Sequence, residues 1–157
     1  MSLVACLSVA PLSAHAKDFA NKDISGQDFS GQDLSGKDFT GVIAKKTNFH
    51  NCNLEGSIFT KASLENADFS GAIVKEANFV DATLDNANFK DVDGRKAVFS
   101  ASILDIGSLE NTDLYQSIWP SKLRIMICDM DTLKGTNPYT KEDTYEALYC
   151  VDYTRKS

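Results

Sequence analysis

The chain repeats a bulky apolar residue at every fifth position. Stepping by five from Phe19 reaches Ile24, Phe29, Leu34, Phe39, Ala44, Phe49, Leu54, Phe59, Leu64 and Phe69, then Val74, Phe79, Leu84, Phe89, Gly94, Phe99, Leu104, Leu109, Leu114 and Trp119. Only Ala44 and Gly94 on this ladder are small, and all nine phenylalanines of the protein lie on it. In an α-helix, five residues turn the side chain by about 140°, which would scatter the ladder around the cylinder. In a strand an odd step alternates the face. A strict period of five therefore excludes long helix and long strand, and requires the chain to turn once per repeat in a constant sense. Stacked turns of that kind form a solenoid whose coils bury one another's apolar residues.

A second register agrees. Two residues before the central position stand Val42, Thr47, Cys52, Ser57 and Ala62, then Ala67, Ala72, Ala77, Ala82, Ala87, Val92, Ala97, Ser102, Gly107, Thr112 and Ser117. These small residues suit a second inward position in a narrow core. Asp, Asn, Ser, Lys and Gly at the remaining positions suit turns and solvent. The first repeats depart from the pattern: Lys22, Gln27, Gln32 and Lys37 occupy the small inward position. A buried charge is costly there, so the expectation is a first coil that is looser, or partly unwound, over residues 17–40. At Ala44 and Gly94 the expectation is a bulge or a compensating neighbour.

Units such as ADFSG (67–71) and QDLSG (32–36) resemble the A(D/N)LXX consensus of pentapeptide-repeat proteins. The resemblance implies an all-β solenoid, a right-handed quadrilateral β-helix with four repeats per coil. It would have about five coils over 17–119 and a short α-helical C-terminal cap over 120–157. Four repeats per coil place Phe19, Phe39, Phe59, Phe79, Phe99 and Trp119 in one column. Phe29, Phe49, Phe69 and Phe89 fall in the opposite one.

The cap is read from the end of the ladder. Pro120 suits the first turn of a helix, and Leu123, Met126, Ile127 and Met130 share one helical face. Gly135 and Pro138 break that helix, and Thr140 with Asp143 would cap a second one through Tyr145, Leu148 and Tyr149. Cys128 and Cys150 flank the break, and a disulfide between them is expected, with two buried free thiols as the alternative. Cys52, at a small inward position, behaves as a compact apolar group.

Residues 1–16, MSLVACLSVAPLSAHA, contain no acidic or basic side chain and end in an A-x-A pattern. They read as the remnant of an export signal, with Cys6 inside it. Together with the tail from TLKGTNPYT to LYC, they resemble thylakoid-lumen pentapeptide-repeat proteins of plants and algae. That resemblance implies a lumenal address in the chloroplast, with a cyanobacterial lumen or periplasm as the alternative.

Charge narrows the partners. The net charge is −6; residues 17–119 carry ten basic and sixteen acidic residues, whereas 120–157 carry six of each. An acidic repeat region disfavours nucleic acid as a partner, and no window has the run of apolar residues of a membrane span. His50 follows a central Phe and is expected to face outward, with no Cys/His cluster for a metal. Gly26, Gly31, Gly36 and Gly41 recur as turn residues, not as a phosphate loop. Asp18, Asp23, Asp28, Asp33 and Asp38 precede five central residues and read as solvated turn residues, with calcium binding in an acidic groove as the alternative. No catalytic, cofactor or metal site is expected. The expected function is a non-enzymatic scaffold or interaction module with a protein partner of unknown identity, a thylakoid complex being one candidate. A redox-responsive role for Cys128 and Cys150 is a second reading. An acidic DNA mimic acting on gyrase, known in the family, is a third, opposed by Lys45, Lys46, Lys61, Lys75, Lys90, Arg95 and Lys96 on the same surface.

Overall fold

The computed structural model describes residues 19–99, 106–120, 126–128, 131, 133–148 and 150. The turn demanded by the period of five has a definite backbone origin. Every fifth residue from Asn21 to Lys96, and again Asn111 and Gln116, adopts a positive φ of 55° to 71°. One left-handed residue per repeat bends the chain by the same amount and in the same sense each time. The N–H that follows it closes the turn on the central residue, as in Ala62 N to Phe59 O at 3.1 Å.

Four such bends return the chain to its starting side. Parallel bridges accordingly join residues twenty apart, from Asp23 with Ile43 to Val98 with Ile118. The pairing is continuous enough for two short parallel strands, β1 (Asn78–Phe79) and β2 (Val98–Phe99), to be resolved. Each central N–H donates to the next coil and each preceding N–H to the coil before, as in Phe59 N to Asn78 O (2.7 Å) and Ile58 N to Lys37 O (3.0 Å).

The interior follows from that register. Phe19, Phe39, Phe59, Phe79, Phe99 and Trp119 stack at ring spacings of 4.2 to 5.3 Å. Phe29, Phe49, Phe69 and Phe89 form a second stack, which meets the first in T-shaped contacts such as Phe59 on Phe69 at 5.8 Å. Both arrangements favour the ring quadrupole. All nine phenylalanines are buried, and Trp119 is partly so. At the small inward positions a hydroxyl or thiol hydrogen-bonds the coil below: Thr47 Oγ1 donates to Ile24 O (3.0 Å), Cys52 Sγ to Phe29 O (2.9 Å), and Thr112 Oγ1 to Phe89 O. Burial raises the Cys52 thiol pKa, so it remains a protonated donor.

The irregular positions resolve differently from one another. The first coil keeps its ladder, as in Phe19 N to Asp38 O and Asn21 N to Thr40 O (both 2.9 Å), so it is not unwound. Lys22, Gln27 and Gln32 are exposed, whereas Val42, Thr47 and Cys52 one coil above are fully buried. Among the described residues no coil lies below these positions, and long polar side chains suit such an edge. At Gly94 there is no bulge: Gly94 N donates to Asp113 O at 2.8 Å, and an added Cβ would lie 3.1 Å from Leu114 Cδ2. The neighbour fills the space. Gly107, expected inward, is exposed, because Asp85 pairs antiparallel with Ile106 and the buried apolar residue is Ile106. The twenty-residue step resumes with Asn88 and Ser108. Leu104 lies outside the described residues.

The C-terminal segment departs most from expectation. Residues 126–128 are helical, with Ile127 buried but Met126 half exposed, so the two do not share a buried face. Leu123 and Met130 lie outside the described residues. The second helix, α1, spans Thr144–Ala147. It starts after Thr140, with Ala147 N donating to Asp143 O at 2.9 Å, while Thr140 N is taken by Asn137 Oδ1. Leu148 is buried beneath it.

Between these helical pieces an extended stretch takes the place of a further coil. Asn111 N donates to Lys134 O at 2.8 Å, the bond that a residue nineteen positions on supplies elsewhere. Gly135 sits over the Asn111 side chain as Gly71 sits over Asn51, and in both pairs a Cβ would collide with the amide oxygen. Asn137 is fully buried. Its Nδ2 donates to Val92 O and Asn111 O (both 2.9 Å), and its Oδ1 accepts from Tyr139 N and Thr140 N. This residue ties the tail to two successive turns of the solenoid. Cys128 and Cys150 form a disulfide with Cα atoms 5.5 Å apart.

Candidate functional site

The outward positions just before each central residue carry most of the surface chemistry. Where the residue is Asp or Asn, its Oδ1 accepts the N–H two residues on, as in Asp23 with Ser25 N, Asp28 with Ser30 N and Asn78 with Val80 N, each 2.9 Å. Such Asx turns replace a lost backbone partner with a side-chain oxygen. The Ser25 and Ser30 backbone amides hold the Asp23 and Asp28 carboxyls below their usual range, with a smaller contribution from the hydroxyls. For Asp33 and Asp38 the Ser35 and Thr40 hydroxyls contribute most. These carboxylates are turn elements, and among the described residues no group of three His, Cys, Asp or Glu could hold a metal ion.

One face departs from the uniform pattern. Asp33, Asn53, Ile73, Asp93 and Asp113 stack on it through consecutive bridges. Beside them, Lys75 Nζ binds Glu55 Oε1 at 2.7 Å, and that contact raises the Lys75 pKa. Arg95 forks onto Asp93, Nε to Oδ1 at 2.8 Å and Nη2 to Oδ2 at 2.6 Å, and is held firmly charged by it. Asp113 is fully buried above this pair. Its Oδ1 accepts Tyr115 N, whereas Oδ2 has no hydrogen bond and lies 3.8 Å from Arg95 Nε. A buried carboxylate oxygen without a donor is costly.

Next to these charges a cleft of about 350 Å³ opens. Its floor is Gly71, Ala72 and Ile73, with Asn51 and Asn53 below, Asp93 above, and Tyr139 reaching in from the tail. The cleft exists because Gly71 has no side chain at a position where Asn51 and Asp91 do. Gly71 is required there, since φ is +69° and the Asn51 amide occupies the place of a Cβ. Asn51 is steadied by His50, whose Nε2 accepts the Asn51 amide while Nδ1 meets Ser70 Oγ (both 2.9 Å). The exposed His50 is thus a surface prop for the cleft. Tyr139 is held by the Asn137 anchor yet remains 67% exposed.

Sequence reasoning did not single out Asp93, Asp113, Asn137 or Tyr139 as a group. They come together only through the twenty-residue stacking and the return of the tail. The Asn-to-Gly alternation in the column of Asn51 and Gly71 was the one available signal. Among the described residues no helix is long and apolar enough to cross a membrane.

Comparison with known proteins places these observations in context. The pentapeptide repeat region family matches over residues 13–89 and 42–119. A pentapeptide repeat protein from the Arabidopsis thaliana thylakoid lumen superposes with a TM-score of 0.79 at 28% identity, covering 84% of this chain and 90% of that one. A second, from Nostoc, gives a TM-score of 0.52 at 20% identity, covering 66% and 75% of the two chains, and bears on the fold alone. No curated protein matches significantly in sequence.

Proposed function

The chain belongs to the pentapeptide-repeat family, whose members fold as right-handed quadrilateral β-helices, and on that premise we propose that it is a non-enzymatic interaction module presenting a rigid rod to a protein partner. Members of the family are generally structural modules without catalysis. In this reading the rod comprises about five coils over 17–119, and 120–157 forms its cap. The observation that carries it is the column of Ile58, Asn78, Val98 and Ile118, which puts three apolar residues at Asx-turn positions of one face. Ile58 and Ile118 are 40% and 58% exposed where Asp or Asn would accept a backbone N–H. Each gives up a turn hydrogen bond of about 1 kcal/mol and leaves apolar surface in water. That exchange does not help the isolated fold, and it favours a surface that is covered in a complex.

The workplace we propose is the thylakoid lumen. The similarity to the Arabidopsis lumenal protein supports it, as do the A-x-A pattern at residues 14–16 and a disulfide compatible with an oxidising compartment. Residues 1–18, and the proposed signal with them, lie outside the described residues. The disulfide acts here as a staple on the cap. Cross-linking in intact organelles, followed by identification of the captured protein, tests the reading. Recovery of one partner, lost when Ile58 and Ile118 are replaced by Asp, supports it. Recovery of no specific partner refutes it.

A further inference from the structure

What a partner would present to the cleft can be read from the way the protein's own tail is held. Along the column of Asn51, Gly71, Asp91 and Asn111 the left-handed turns point peptide carbonyls away from the coil-to-coil ladder. The carbonyls of Asn51, Gly71 and Asp91 accept no backbone hydrogen bond among the described residues. At the top of the column the need is met by a side chain: Asn137 Nδ2 donates to Asn111 O and, on the same wall, to Val92 O. Val92 O already accepts Asp113 N at 2.9 Å, so a ladder carbonyl in this place takes a second donor. One coil lower the equivalent carbonyls are those of Asp91 and Ala72, and Ala72 O likewise has one ladder partner, Asp93 N at 3.1 Å. Here, among the described residues, no side chain of the tail supplies the donor, and the cleft opens instead, with Ala72 and Asp93 in its wall.

Resting on the interaction role proposed above, we propose that this cleft receives the guanidinium of an arginine on the protein partner. A guanidinium is planar, carries five N–H donors and stacks on aromatic rings. The cleft offers outward carbonyls, the Asp93 carboxylate and the exposed Tyr139 ring, with Ile73 to cover the aliphatic stem. Its volume of about 350 Å³ is ample for one such side chain. The surroundings are net acidic, with Glu55, Asp91, Asp93 and Asp113 against Lys75 and Arg95. Asp93 is already held by Arg95, and Asp113 answers that difficulty. Its buried Oδ2 lacks a donor and lies 3.8 Å from Arg95 Nε, so Arg95 can lean towards Asp113 when an incoming guanidinium takes its share of Asp93. A lysine ammonium lacks the plane for Tyr139. An amide could satisfy the carbonyls but would leave the carboxylate without a second cation.

The test is a nitrogen-15 NMR titration of the full chain with N-acetyl-argininamide, using N-acetyl-citrullinamide as the neutral isostere. The expected result is a saturable shift at the Gly71, Ala72 and Ile73 amides, with a dissociation constant of about 1–10 mM, as a ligand of this size allows. Citrulline should bind at least about fivefold more weakly, since it lacks the charge. Tyr139→Ala, a mostly exposed position, should weaken arginine binding by about five- to tenfold and leave the thermal unfolding midpoint unchanged. Equal shifts with arginine and citrulline, no shift at 71–73, or full affinity in Tyr139→Ala would each overturn the site. A cross-linked partner still captured by Tyr139→Ala would also sink the arginine site while leaving the interaction role standing.

Discussion

Replacing Phe59 by Ala tests the stacked core most directly. Phe59 is fully buried, with parallel rings above and below, Phe39 at 4.5 Å and Phe79 at 5.1 Å. Phe49 and Phe69 meet it edge-on at 5.9 and 5.8 Å. Truncating a buried phenylalanine costs about 3–5 kcal/mol through lost transfer energy and the cavity left behind. Each of the four ring pairs adds about 0.5–1.5 kcal/mol beyond its area. The backbone ladder on both sides prevents the coil from collapsing into the space, so the upper end, about 5 kcal/mol, is expected. Phe19, in the first described coil, stacks on Phe39 at 4.7 Å and meets Phe29 edge-on at 5.4 Å. Its truncation should cost about half as much. Urea unfolding followed in parallel by far-ultraviolet circular dichroism and by fluorescence of the single tryptophan, Trp119, measures both. Trp119 stacks on Phe99 at 4.2 Å, so it reports at the opposite end whether a central gap weakens the whole rod. A loss at Phe59 below about 2 kcal/mol, or smaller than that at Phe19, would refute a core held by columns of rings.

Three further outcomes follow from the same geometry. Lys61 has a φ of 59°; Lys61→Gly should stabilise the protein by about 0.5–1 kcal/mol in urea unfolding, because glycine adopts this conformation without steric strain. Asp23, Asp28, Asp33 and Asp38 have folded pKa values lowered by their turn hydrogen bonds. Their stabilisation is present above the unfolded value of about 4 and is lost as the pH falls through the folded values. The urea midpoint should therefore drop below about pH 4, and replacing all four by Asn, which keeps the acceptor, should flatten that drop. Asn137→Ala should cost about 2–3 kcal/mol by leaving Asn111 O and the Tyr139 and Thr140 amides without their side-chain partner. Hydrogen exchange should then accelerate at Tyr139, Thr140 and Thr144 while residues 39–79 keep their protection.

The period of five was enough to establish the solenoid, because its cause is local. One left-handed residue per repeat sets the bend, and every repeat reads the same rule. The phenylalanine columns follow once four bends make a circuit. The Asp and Asn residues were legible as turn residues, but their role as acceptors for the N–H two positions on needed the backbone path. Gly94 looked like a gap in the sequence, and only packing revealed that Leu114 leans into it.

Where the repeat ends, sequence reading lost its grip. Asn137 stands in an unremarkable turn motif, yet it is the buried anchor of the tail, because its partners Val92 and Asn111 are 45 and 26 residues away. The cleft beneath Tyr139 has the same origin. A periodic sequence specifies its own interior, since each coil is the template for the next. Which part of a non-repeating tail seals the last coil, and what it leaves open, is decided only by contacts formed across the folded chain.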